Sequence, residues 1–254
     1  MGKYTELDLD TEIIGKRIFH FDELSSTNNF SRELVEKGAE EGTVVVADEQ
    51  TMGKGRKERT WYSPRGGLWF SIILYPNFIQ TDRSILLTMA ASISTAESIN
   101  ALADVEGKIK WPNDVLIGKK KVCGILTEME ADVDEIHHAI IGIGLNVNNE
   151  LNQDLEEKAT TLLKETGRNL SGEDVLRAIL GNFEDLYFRL KNRGTRQIKK
   201  RWSDLSAIHQ KEVLVEKGSK KIQGKVEGID DRGRLVLRSE AGEHSIMTGD
   251  VEIL

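Results

Sequence analysis

Between residues 107 and 148, four strand-like runs (107–111, 114–117, 120–130 and 138–148) follow one another with turns as short as Gly118-Lys119, and this spacing constrains the fold most. Strands joined so closely pair antiparallel, because a parallel pair needs a crossover of roughly a dozen residues. The sheet they build is therefore at least partly antiparallel. Residues 67–75 (GLWFSIILY) add a buried strand, and 43–47 (TVVVA) a β-branched one. A short strand at 17–24 (RIFHFDEL) runs into Ser25-Ser26-Thr27-Asn28, residue types that cap helices.

Helical periodicity marks the rest of this region. A helix over 28–38 turns Phe30, Leu34 and Val35 inward and stops at Gly38. A long one over 83–103 carries Ile85, Leu86, Met89, Ile93, Ala96 and Ile99 at helical spacing. Another, over 172–192, opens at Ser171 with Asp174 three residues on, and a shorter one over 196–204 carries Ile198 and Trp202. From about residue 207 the texture changes. Val213–Val215, Ile222–Ile229 and Leu235–Leu237 read as short strands separated by KGSKK, DDRG and EAGE turns, and five or so strands in so short a segment suggest a small SH3-like or OB-like barrel. With no proline-rich linker before it, the barrel should dock tightly. The expected organisation is an α+β domain over 1–206, with a mixed, largely antiparallel sheet flanked by helices, and a β barrel over 207–254.

Bulk properties narrow the function classes. At 254 residues the chain can bury most of its apolar surface. No run approaches the ~18 consecutive apolar residues of a membrane span, and the polar start MGKYTELDLDTE does not read as a signal peptide. Cys123 is the single cysteine, which fits a reducing, cytoplasmic setting. The formal charge of −7 lacks the footprint of a duplex binder. Against that acidity, Lys54, Arg56, Lys57 and Arg59 crowd together with only Glu58 opposing them, which suits a small anionic ligand.

Four stretches could carry chemistry. In QTMGKGRKERTW (50–61), glycines let the backbone approach a ligand while cations pair with carboxylate or phosphate, although a solvated basic loop would look the same and no P-loop pattern is present. In KWPNDV (110–115), Asn113 and Asp114 are either ordinary turn residues or oxygen donors near a nucleotide and its Mg²⁺. In KVCGIL (121–126), alternation puts Lys121, Cys123 and Ile125 on one strand face, with Lys121 snorkelling at an edge or aimed into a site and Cys123 a small core residue. In GIGLNVN (142–148), Gly142 and Gly144 share a face and leave a flat surface on which a ring could rest, unless they serve a bulge or close packing. The five histidines show no metal-ligand spacing, and neither a zinc motif nor GxSxG occurs.

In this order, Ser26-Thr27-Asn28, Gln50 with GKGRKERTW, KWPNDV, KVCGILTE, GIGLNVN and Ala159-Thr160-Thr161-Leu162 resemble the catalytic domain of biotin–protein ligases, and GIDDRGRLVL is similar to that family's small terminal domain. The likeness covers about residues 17–254. It implies a class II synthetase-like sheet with an SH3-like C-terminal barrel. The implied activity is a two-step one: the biotin carboxylate attacks the α-phosphate of ATP to give biotinyl-5′-AMP and pyrophosphate, and a lysine of a biotin carrier domain then takes the biotinyl group, releasing AMP. By this resemblance Lys121 and Arg56 are catalytic. Biotin falls to Ser26, Thr27, Asn28, Gln50, Lys54, Gly55, Arg56, Lys121, Gly124, Gly142 and Gly144. The nucleotide falls to Arg56, Arg59, Trp61, Asn113, Lys121 and Asn146, and Mg²⁺ to Asp114. The glycine- and charge-rich loop should be mobile when empty and close over ligand. Too little chain precedes residue 17 to hold the winged-helix DNA-binding domain of dual-function repressors, so the resemblance implies a single-function enzyme with no DNA partner, working as a homodimer. Two departures stand out. The usual loop reads GRGRxGR, whereas Lys54 replaces its first arginine, losing the bidentate fork, and Glu58 replaces its later glycine, losing backbone freedom; Glu58 should face solvent or pair with a neighbouring cation. The competing assignments are a lipoate or octanoate ligase and a non-catalytic biotin sensor or RNA-associated protein.

Overall fold

The computed structural model describes residues 3–5, 9–218 and 220–254. In chain order they form β1 (Lys3–Thr5), β2 (Ile18–Phe21), α1 (Thr27–Glu36), β3 (Val44–Ala47), β4 (Leu68–Leu74), α2 (Ile85–Ala103), β5 (Gly107–Lys110), β6 (Asp114–Ile117), β7 (Lys120–Ala131), β8 (Ile136–Leu145), α3 (Leu162–Thr166), α4 (Gly172–Arg193) and α5 (Arg196–Leu205). Then come β9 (Glu212–Lys217), β10 (Lys220–Ile229), β11 (Leu235–Ser239), β12 (Gly242–Ile246) and β13 (Asp250–Ile253). The first eight strands make one sheet, ordered β1-β2-β3-β4-β8-β7-β6-β5, and the last five a second, ordered β12-β11-β10-β9-β13. Among the named strands of the described residues, only β2 and β3 pair parallel; α1 lies between them and makes the crossover.

Strand β4 explains the layering. Leu68, Phe70, Ile72 and Leu74 face one side and join a core with Leu86, Met89, Ile93 and Phe183 of the long helices. Ser71 faces the other side, against Thr27 and Asn28 of α1. The sheet is thus covered on both faces, which is why β4 is apolar at almost every position. Helix α2 is buried nearly all round, and its Ser92, Ser94 and Thr95 hydroxyls bond the carbonyls one turn back at 2.8–2.9 Å, so burial leaves them satisfied. The stretch Thr81–Ala103 holds an 18-residue window apolar enough to cross a bilayer by composition, yet 72% of that window lies inside the fold, so core packing accounts for its character.

The second sheet docks directly on the first part. The Trp111 indole donates to the Gly233 carbonyl at 3.2 Å, and Arg232–Asp82 (2.6 Å) and Lys199–Asp231 (2.8 Å) tie the rim. A Cβ on Gly233 would lie 2.7 Å from Ile85, so the barrel turn seats its bare backbone on α2. Periodicity located the long elements to within a few residues. It did not single out α3, β1, β12 or β13, which are short and carry little pattern.

Candidate active site

A cavity of about 380 Å³ opens on the α1 side of the main sheet. Its floor comes from β7 and β8, one wall from the start of α1, a roof from residues 54–62, and the far rim from the segment after β8 together with Asp250 of the barrel. Every residue that the resemblance assigned to the site lines it: Ser26, Thr27, Asn28, Gln50, Lys54, Gly55, Arg56, Arg59, Trp61, Asn113, Asp114, Lys121, Gly124, Gly142, Gly144 and Asn146.

The polar wall is built on a helix start whose capping differs from expectation. Ser26 occupies the cap position in extended conformation, but its side chain makes no capping bond. Gln50 does that work, its Oε1 accepting from the Thr27 amide at 2.8 Å while its Nε2 donates to Ser63 Oγ at 2.9 Å. Beneath it, Ser71 Oγ lies 2.7 Å from Thr27 Oγ1 and 2.6 Å from Asn28 Oδ1, and Asn28 Nδ2 donates to Glu128 at 2.7 Å. Asn28 can sit this close only because Gly142 has no side chain: a Cβ there would lie 2.9 Å from Asn28 Cγ. Gly144 likewise does carry a ring, and that ring is the protein's own Trp61, whose Cε2 would be 2.8 Å from an added Cβ. The indole meets Trp69 edge-on at 6.5 Å and leaves its own N–H without a hydrogen-bond partner.

Lys121 corrects the alternation argument. It does not share a face with Cys123 and Ile125. The pairing of β6 with β7 shifts between Val115, opposite Cys123, and Leu116, opposite Lys121, so Val122 is an extra residue in a bulge. A bulge breaks the two-residue period. Cys123 and Ile125 turn into the core, while Lys121 lies across Gly124 on the cavity side, its Nζ 3.0 Å from where a Gly124 Cβ would be. Burial pushes the Cys123 thiol far above its ordinary pKa despite the nearby Lys121 cation, so it is an inert core residue.

Two adjacent residues bring the cations together. Asp114 Oδ1 holds Lys121 Nζ at 2.6 Å, and Asn113 Oδ1 accepts from Arg56 Nη1 at 2.8 Å. The loop after Gln50 and the Lys121 side chain therefore converge on one turn, KWPNDV. Lys121 also lies 5.0 Å from the Trp61 ring centroid, a cation–π contact. Asp114, assigned to a metal by the resemblance, is thus engaged by Lys121. Among the described residues no group of three or more His, Cys, Asp or Glu side chains could hold a metal ion.

The basic loop has more internal order than its composition implied. Gly55 N bonds Arg59 O (2.6 Å), and Trp61 N bonds Gly53 O (2.9 Å), closing a narrow hairpin over the 3₁₀ turn Arg56–Glu58. Lys57 and Glu58 adopt φ of 56° and 60°, the left-handed region that glycine tolerates best. Glu58 is exposed, as expected from its charge. Lys54 Nζ reaches Asn29 Oδ1 at 2.6 Å.

Asp250 went unnoticed in the sequence. Its carboxylate receives Lys57 and Arg59, both at 3.0 Å, binding the loop to the barrel. Burial would raise its pKa, but the two cations outweigh that and hold it below the usual aspartate value. No local signal could have found it, since it stands about 190 residues from its partners in a short strand. Leu151, Leu155 and Lys158 also line the rim unforeseen, beside Ala159 of the last motif. Asn146 fastens their segment through Thr160 O (3.1 Å), and the backbone of Lys121 pairs with it at Lys158 O (2.9 Å).

Comparison with known proteins adds an independent line. A family model described as "Biotin/lipoate A/B protein ligase family" matches residues 20–146, and one described as "Biotin protein ligase C terminal domain" matches 209–254. The bifunctional ligase/repressor BirA of Bacillus subtilis is 38% identical over 260 residues, covering 99% of this chain and 80% of the relative. The biotin–[acetyl-CoA-carboxylase] ligase of Paracoccus denitrificans is 29% identical, covering 82% of this chain and 88% of its own. Among solved structures, the biotin protein ligase from Aquifex aeolicus in complex with biotin and ATP aligns with a TM-score of 0.83 at 30% identity, covering 93% of this chain and 98% of that one.

Proposed function

The chain belongs to the biotin/lipoate A/B protein ligase family, and from that premise we propose that the cavity activates biotin with ATP and passes it to a lysine of a biotin carrier domain. One observation carries the reading: the turn at Asn113 and Asp114 holds Arg56 and Lys121 together at the cavity, where two anionic substrates must meet.

The chemistry follows from charge. A biotin carboxylate oxygen attacks the α-phosphorus of ATP, the bond to the pyrophosphate oxygen breaks, and negative charge grows on the phosphorus-bound oxygens. Lys121 and Arg56 are fixed donors for that charge, and one such preorganised donor is worth roughly 3 kcal/mol. Their present anionic and carbonyl partners, Asp114 and Asn113, keep both side chains poised until phosphate competes for them. In the second step the carrier lysine's amine attacks the acyl carbon and AMP leaves with its bonding pair. Trp61 over Gly144 and the hairpin at 53–61 form a roof that shields the mixed anhydride from water. Alignment of the substrates in one cleft supplies the remaining acceleration.

The donor set also fits a magnesium ion held chiefly by phosphate oxygens, because a single carboxylate, Asp114, stands beside Lys121 and such ions commonly take only one or two. Asp114 would hold it, and the ion would neutralise phosphate charge when bound. We place the division between the catalytic part and the barrel at residue 206/207, supported by the end of α5 at Leu205 and the terminal-domain match from 209. Biotin-dependent exchange of pyrophosphate into ATP tests the activity. Exchange driven by lipoate and not by biotin would overturn it. Mass spectrometry of a carrier domain after incubation with the protein, ATP, Mg²⁺ and biotin tests the transfer, and sedimentation tests the expected homodimer.

A further inference from the structure

We infer that Glu128, on β7 behind the cavity wall, sets the donor–acceptor polarity of the end of the site that receives the ureido head of biotin. The inference rests on the reading above, in which Thr27 and Asn28 face that head.

The relevant side chains form one relay. Arg32 Nη2 lies 2.9 Å from Glu128 Oε1, and Asn28 Nδ2 lies 2.7 Å from Glu128 Oε2. Asn28 Oδ1 then meets Ser71 Oγ at 2.6 Å, and Ser71 Oγ meets Thr27 Oγ1 at 2.7 Å. Ser71 is fully buried, and Asn28 and Thr27 are 4% and 3% exposed, so neither Ser71 contact can be traded for bulk water.

Proton counting gives the relay a direction. A carboxylate paired with arginine only accepts, so Asn28 must present its NH₂ to Glu128 and its carbonyl to Ser71. That carbonyl has no proton, so the single Ser71 hydrogen goes to Asn28. The Ser71–Thr27 contact then needs the Thr27 hydrogen. Thr27, which lines the cavity, is left with a lone pair and no free proton, hence an acceptor matched to a ureido N–H. Gln50 Oε1 lies 3.1 Å from the Thr27 hydroxyl and competes for its hydrogen, but it keeps the Thr27 backbone amide at 2.8 Å and so stays paired when the hydroxyl turns to Ser71. The orientation of Asn28 traces back to Glu128 at 2.7 Å, with the Leu126 carbonyl a longer, weaker acceptor for the same amide at 3.5 Å.

Glu128→Gln tests this, because a carboxamide of the same shape can donate. The whole relay can then reverse, Gln to Asn28 Oδ1, Asn28 Nδ2 to Ser71 and Ser71 to Thr27, releasing the Thr27 hydrogen to Gln50 Oε1 or to a ligand acceptor. The readout is the ratio of kcat/KM in pyrophosphate exchange for biotin over a carbamate analogue in which a ring N–H is replaced by oxygen. With Thr27 fixed as an acceptor, the analogue's lone pair faces another lone pair, and wild type should reject it on the order of tenfold or more. E128Q should lower that ratio at least fivefold. Arg32→Gln loosens the carboxylate but leaves it an acceptor, so its ratio should stay that of wild type, as a merely structural role for Glu128 would not predict. Should E128Q fail to fold, Ser71→Ala decides, since it cuts the relay and should lower the ratio equally. A ratio that changes less than fivefold in the folded variant overturns the polarity assignment while leaving the site reading intact. Wild-type protein that shows no biotin-dependent exchange overturns the site reading, and the inference with it.

Discussion

Replacing Gly144 by alanine tests whether Trp61 and the bare backbone of β8 are fitted to each other. An added Cβ would stand 2.8 Å from the indole Cε2 and 3.0 Å from Cδ1, whereas carbon contacts settle at roughly 3.5–4.0 Å. Something must therefore move by about 1 Å. The strand cannot, because Gly144 is paired with Trp69 on one side and Gly124 on the other. The indole can, since Trp61 closes a surface hairpin. Its retreat gives up the contact with Lys121 and the edge contact with Trp69, each of order 1 kcal/mol. A loss of about 2 kcal/mol in the ligand-ready geometry corresponds to roughly thirtyfold weaker substrate capture. The same two contacts are lost from the ligand-free fold, so global stability should fall by up to about 2 kcal/mol and no more, because a loop yields and the core does not. Pyrophosphate exchange over a biotin and ATP grid reads the first quantity, and urea unfolding the second. Unchanged KM values for both substrates would refute the fitted-ring argument. A loss of several kcal/mol in stability would refute the claim that the hairpin is what gives way.

Four further outcomes follow from the site. Lys121→Ala should slow biotin-dependent exchange by a hundredfold or more, on the order found when one preorganised donor is removed, while thermal melting moves little; near-normal exchange would remove Lys121 from the chemistry. Asp250→Asn should raise KM for ATP by releasing the hairpin. Because the folded pKa of Asp250 is depressed, its stabilising contribution is present above the ordinary value near about 4 and is lost as pH falls through the lowered one. Its partners are more than half exposed, so that contribution is under about 1 kcal/mol; urea midpoints of wild type and D250N should differ slightly at neutral pH and merge in acid, and a gap that widens in acid would contradict the sign. Glu58→Gly should leave ATP affinity within about twofold and stability unchanged or slightly higher, since it relieves a left-handed backbone costing about 1 kcal/mol while the exposed carboxylate touches nothing; strong tightening of ATP at low salt would place Glu58 among the phosphates after all. Cys123 should resist thiol reagents until the chain unfolds, and rapid labelling of native protein would contradict its burial.

Much of this molecule was written in local pattern. Helices α2 and α4 declared themselves by apolar spacing, β4 by an unbroken apolar run, and the antiparallel group β5–β8 by turns too short for any crossover. The family was legible because six short motifs occur in a fixed order, and all the residues drawn from them reach one cavity. These are properties of neighbours along the chain, and helical and strand periods register them directly.

What only the tertiary structure decided lies where distant segments meet or the period breaks. The bulge at Val122 turned Lys121 away from the face that alternation gave it, because one extra residue inverts every later position and is not marked by residue type. Asp250 closed the hairpin from another sheet, Gln50 took over the capping expected of the run Ser25-Ser26-Thr27-Asn28, and Glu128 joined the polar wall from behind it. Each depends on two groups brought together across 20 or more residues of chain. A sequence states which groups can pair; only the folded backbone brings a given two within about 3 Å of each other.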